Sequence, residues 1–104
     1  MSKTKTLHEL ANLLAIALKH KIGSIVNQNE IYAQKYARDY EILLKEAEKI
    51  AEQYNWSSED KSMIKQETRK KLQQELEKKD FLDNKKFEIM DEEMDNALKI
   101  LGLN

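Results

Sequence analysis

The chain has 104 residues, 36% of them charged, with a net charge of −1, no cysteine, no proline and only two glycines. The missing cysteines exclude disulfides, thiolate catalysis and thiolate metal sites. The shortage of turn punctuation argues against a β-rich fold, and the near-neutral charge gives no global field for nucleic acid or anionic lipid.

Length favours one domain over residues 1–104, large enough for a single modest core. The charge is unevenly spread: +3 over residues 1–27, −2 over 28–55, +1 over 56–82 and −3 over 83–104. The opposite signs of the two ends favour packing them together, or against another copy of the chain.

Residues Leu10 to Leu18 are apolar except for Asn12. Basic residues precede this run, as in a secretory leader, but Glu9 and Asn12 interrupt the pattern and no small-residue cleavage motif follows. The run is too short to cross a bilayer. A soluble, cytoplasmic protein is expected.

Thr6 and Glu9 have the spacing of a capping box, so a first helix is expected over about Leu7 to Ile22. Lys19 and Lys21 suit its negative end, and Gly23 suits the left-handed position beyond it. Asn27 and Glu30 repeat the start signal for a second helix reaching about Tyr54. Its apolar residues Ala33, Tyr36, Tyr40, Leu43, Ala47, Ile50 and Tyr54 step by three and four. Ile22 and Val26 lie in phase with this seam, so the alternative is one long helix running through Gly23, at a cost of about 1 kcal/mol for the glycine.

Trp56 precedes a capping box formed by Ser57 and Asp60, which opens a third helix reaching about Lys79. Phe81 and Leu82 form the next connection, and Asp83 can cap a fourth helix with the seam Phe87, Met90, Met94, Ala97, Leu101. Gly102 should end it, with Leu103 folding back on Leu98 in a Schellman closure. The expected fold is all-α, an antiparallel bundle of four helices, or three if the first two fuse.

The first helix carries an apolar arc of about 200°, roughly twice what a surface helix needs, against about 140° for the second and about 100° for the fourth. The third has no tight stripe. The first helix should therefore be central, with the second and fourth covering part of it and the third too little to cover the rest. Leu10, Leu13 and Ala17 are left over as a face for self-association or a protein partner. Tyr32 joins this expected interface, because tyrosine is favoured there. Tyr36 and Tyr40 continue its ladder along the core edge.

Other candidates are weaker. His8 and His20 differ by about 120° and about 18 Å along one helix, so they cannot share a metal, and both read as solvated. No Glu stands three residues before either, which removes a di-iron motif. Glu88, Asp91, Glu92, Glu93 and Asp95 form an acidic face that a divalent ion, a basic partner or water could relieve. Trp56 reads as a staple on the turn before the third helix. Two isolated glycines cannot build a phosphate loop, and the serines fit caps and turns. The two arginines, Arg38 and Arg69, sit off the apolar faces, so no catalytic site, metal or cofactor is expected. The leading expectation is a non-enzymatic protein-interaction module that self-associates. The alternative is a helix-turn-helix-like nucleic-acid binder using Lys61, Lys65, Arg69, Lys70 and Lys71.

Overall fold

The computed structural model describes residues 2–27, 29–78 and 85–104. The protein is all-α, with α1 at Lys3–Val26, α2 at Glu30–Ala51, α3 at Ser58–Glu77, α4 at Lys85–Glu88 and α5 at Met90–Ile100. The expected cap at Asp83 and the Phe81–Leu82 connection lie outside the described residues.

The first helix starts a turn earlier than expected. Ser2 is its cap, with the side-chain oxygen accepting from the Lys5 N–H. Thr6 is inside the helix instead, buried, its hydroxyl donating back to the Ser2 carbonyl. A hydroxyl in the first turn can satisfy itself on the preceding turn, so the residue three before Glu9 need not be the cap.

Gly23 does not end α1, and α1 does not fuse with α2. The helix runs through Gly23 to Val26, and the Asn27 N–H still donates to the Gly23 carbonyl at 3.0 Å. The break comes at Asn27 and Asn29, both extended in ψ. Asn29, two residues later than expected, is the true cap of α2 and accepts from the Ile31 and Tyr32 N–H groups. The glycine has a packing reason. A Cβ at position 23 would stand 3.1 Å from the Tyr36 ring, so a larger residue would press on that ring. α2 then ends at Ala51, short of Tyr54.

The capping box of α3 is present as read, with Ser57 accepting from the Asp60 N–H and Asp60 accepting from the Ser57 N–H. The last helix is interrupted at Ile89, and Phe87 is exposed on the short α4 rather than part of a seam. Its far end closes as expected. Gly102 has φ +70°, the Leu103 N–H donates to the Leu98 carbonyl at 2.8 Å, and Leu103 is buried.

α1 is the central element and packs against all four other helices. From Leu10 to Gly23 only Asn12 is exposed. α2 runs antiparallel to it, placing Tyr36 on Gly23 and Asp39 by His20. α3 runs parallel to it: Lys3 pairs with Asp60, His8 with Glu67 and Lys19 with Glu75. α5 lies antiparallel to α3, tied by Lys65–Asp95 and Arg69–Asp91.

The third helix covers far more of α1 than expected. Ile64, Thr68, Leu72 and Leu76 recur every fourth residue and are fully buried, while Met63 is half exposed. The stripe is invisible if threonine counts as polar and methionine as core. Its cost is local: the Thr68 hydroxyl is enclosed with no hydrogen-bond partner among the described residues.

Two stability changes follow from this core. Thr68→Val removes an unsatisfied buried hydroxyl while keeping the shape, and should stabilise by about 1 kcal/mol in denaturant unfolding. Leu14→Ala empties a fully buried site and should cost about 2–5 kcal/mol. A destabilised Thr68→Val would mean that its hydroxyl is satisfied after all.

Candidate interaction surfaces

The face assigned to Leu10, Leu13 and Ala17 is not spare. Leu10 and Ala17 are wholly enclosed, and Leu13 is partly buried against the core. The physical reason is the one given for α3. With α3 along the His8–Lys19 side and α2 along the His20–Gly23 side, the wide arc of α1 is closed within one chain.

Of the expected interface residues only Tyr32 is largely exposed, at 55%. It has neighbours that sequence reasoning missed. Ile25 (49% exposed) and Ile31 (78%) flank the same α1–α2 turn. Among the described residues the remaining large exposed hydrophobics, Ile42, Met63, Phe87 and Ile100, stand on four different helices. Single exposed apolar residues are ordinary, whereas three at one turn are not. The signal was available, since no charge occurs between Lys21 and Glu30.

The basic and acidic faces prove to be two halves of one contact. Arg69 donates from Nε to Asp91 Oδ1 at 2.9 Å and from Nη2 to Oδ2 at 3.5 Å, and Lys65 lies 3.2 Å from Asp95. The hydrogen bond to Asp91 first, and its charge second, hold the Arg69 guanidinium above its ordinary pKa. Two of the five cations assigned to a nucleic-acid face are thus committed to α5. Lys70 and Lys71 border a shallow groove with His8 and Glu67, and Lys61 borders another with Ser58, Ser62 and Lys99. Among the described residues no group of three His, Cys, Asp or Glu is placed to hold a metal.

His8 is exposed as expected, while His20 is partly buried. His8 Nδ1 lies 2.6 Å from Glu67 Oε2, bridging α1 to α3. His20 Nδ1 donates to the Ile16 carbonyl at 2.8 Å, and its ring meets Tyr36 edge-on at 5.8 Å. Tyr40 is half buried beneath Lys21. Burial first, then Glu93 and Glu48, raise its hydroxyl pKa.

Trp56 closes the α2–α3 turn. Its indole N–H donates to the Ala51 carbonyl at 2.8 Å and its ring tilts against Tyr54. Lys3, a residue the sequence did not single out, completes this clasp. Its ammonium donates to the Asn55 carbonyl at 2.8 Å, pairs with Asp60 at 2.8 Å and lies 5.5 Å from the indole centroid. Bonds from Lys3 first and the Ser57 N–H second hold the Asp60 carboxyl below its ordinary pKa.

No protein-family model, curated protein or solved structure matches this chain. Among the described residues, no helix is long and apolar enough to cross a membrane.

The Asp60 clasp has a pH signature. Its folded pKa is the lower one, so its stabilisation is present above the unfolded carboxyl value near 3.8 and is lost as pH falls through the depressed one. Asp60→Asn should therefore flatten the acid limb of thermal stability below about pH 5 and weaken the fold at neutral pH. An acid limb identical to that of the parent protein would show that the carboxylate is not coupled to folding.

Proposed function

We propose that this chain is a non-catalytic protein-interaction module that self-associates through the end of the molecule formed by the α1–α2 turn. The observation that carries this reading is the exposure of Ile25, Ile31 and Tyr32 around one uncharged turn in an otherwise closed core. Several of the charged candidates, His8, Lys65, Arg69, Asp91 and Asp95, are engaged in pairs that tie helices together.

The character of the turn favours a second copy over a different partner. A two-fold contact sets a surface against itself, so any charge on it faces its own like. Residues 22–29 carry none, and Glu30 is the one charged residue between Ile25 and Tyr32, in a chain where 36% of residues are charged. A partner chosen by charge would find little to read here.

The test is light scattering coupled to size-exclusion chromatography from about 1 μM to about 1 mM, the range in which contacts of roughly 4–8 kcal/mol saturate. Mass should rise with concentration in chain refolded from denaturant at each concentration. Tyr32→Glu places a charge on the exposed turn and should shift the rise to at least roughly tenfold higher concentration, with an unchanged melting curve. A chain that stays monomeric throughout removes this reading.

A further inference from the structure

We infer that the second copy is taken up by exchange: the α1–α2 turn opens, α1 and α2 run on as one helix, and each chain's α1 enters the cradle of α2, α3 and α5 of the other. This rests on the self-association proposed above and says how it is built.

The first support is a repeat that ignores the turn. Ala11, Ala15, Leu18, Ile22, Ile25, Asn29, Tyr32 and Tyr36 follow one another at steps of four and three without a slip. The first four are buried, and Tyr36 is partly buried against Gly23 and His20. The two apolar members at the turn, Ile25 and Tyr32, are the ones left about half exposed. In a continuous helix they would lie on the stripe that faces the other chain. The one polar member, Asn29, would sit near the two-fold axis. A polar seam residue there sets register and partner number at some cost in stability.

The second support is that the turn is made of residues a helix accepts. It contains no proline or glycine. Asn27 (φ −78°, ψ 128°) and Asn29 (φ −87°, ψ 112°) depart from the helix chiefly in ψ. The Asn27 N–H already makes a helical bond to Gly23. What holds the turn is the Asn29 side chain capping α2 and the Asn27 side chain accepting from the Asn29 N–H.

The third support is the thin packing beside the turn. Every buried residue of α2 lies in its second half, at Leu44, Ala47 and Ala51. The first half rests on Gly23–Tyr36, His20–Asp39 and Lys21–Tyr40 contacts, all between α1 and α2. Exchange remakes each of them between chains, because the stripes of α1 and α2 fall on one face of the joined helix. The joined helix, Lys3 to Ala51, would be about 74 Å long. The new contact beyond those of the monomer is Ile25 of each chain against Tyr32 of the other, beside Asn29 at the axis, at the low cost typical of swapped dimers.

Exchange must withdraw α1 from the core, so it happens on unfolding and refolding. The test is to refold the parent chain, Glu30→Pro and Asn29→Leu from denaturant at about 1 mM and measure mass by light scattering. Glu30 is the first residue of α2, where proline is tolerated, and Asn29 before it already has the extended backbone that proline requires. In a continuous helix the same proline is an interior breaker. Glu30→Pro should keep the monomer's circular dichroism and weaken dimerisation by roughly 100-fold. Asn29→Leu removes the cap and the polar seam residue, and should favour the dimer at least roughly tenfold. In a dimer of isotope-labelled and unlabelled chains, Tyr36 should show nuclear Overhauser contacts to Gly23 of the other chain. If the parent dimerises, but Glu30→Pro dimerises as well and the Tyr36–Gly23 contacts stay within one chain, exchange is wrong and simple self-association stands. If the refolded parent is monomeric, both readings fall, whatever Asn29→Leu does.

Discussion

The burial of α1 organises everything else in this molecule. A helix with apolar residues over more than half its circumference cannot lie on a surface, and it is stable in water only inside a ring of other helices. In this structure α2, α3 and α5 supply that ring. Leu10, Leu14, Leu18 and Ile22 are fully enclosed as a result. The topology follows from the same demand. α3 lies parallel to α1 because α2 has carried the chain back across the length of the bundle, and α5 then returns antiparallel to α3.

Charge has a subordinate role, which is to set orientation. Four of the pairs that connect different helices, Lys3–Asp60, His8–Glu67, Lys65–Asp95 and Arg69–Asp91, are exposed at one or both partners, and exposed pairs contribute little each. Their pattern is nevertheless directional. The basic side of α3 meets the acidic side of α5, so two features that look like separate binding faces in the sequence relieve one another in the fold. The like-charge neighbours Asp91 and Asp95, unfavourable on an isolated helix, each gain an opposite charge in this way.

Local signals in the sequence were legible where one short stretch decides the outcome. The Ser57–Asp60 box and the Gly102–Leu103 closure involve only a few adjacent residues, and both formed as read. So did the central place of α1, since an excess of apolar surface is a property of that segment alone. What could not be read depends on partners distant in sequence. Gly23 looks like a terminator until Tyr36 is seen resting on it. Thr68 looks like a solvent residue until three neighbours four and eight residues away are seen buried beside it. Leu10 and Ala17 look surplus in the sequence only while the stripe on α3 goes unrecognised, and that one helix moves the candidate site from the middle of α1 to its end.

That displacement changes what kind of association is physically reasonable. A broad apolar face on a central helix would have demanded a permanent partner, because leaving it wet is costly. A small uncharged end does not, and a contact confined to it belongs with the weak, transient interfaces. The proposed exchange of α1 would resolve the difference in scale. It would turn the whole core of the molecule into an interface while adding only Ile25, Asn29 and Tyr32 as new contacts. The balance between the closed and the exchanged form would then be set by local terms at one turn. The Asn29 cap and chain entropy favour the single chain, and the unbroken seven-residue repeat favours two. Because the two forms would share nearly all of their contacts, the stability of the core would cancel from that balance, and concentration would decide which form prevails.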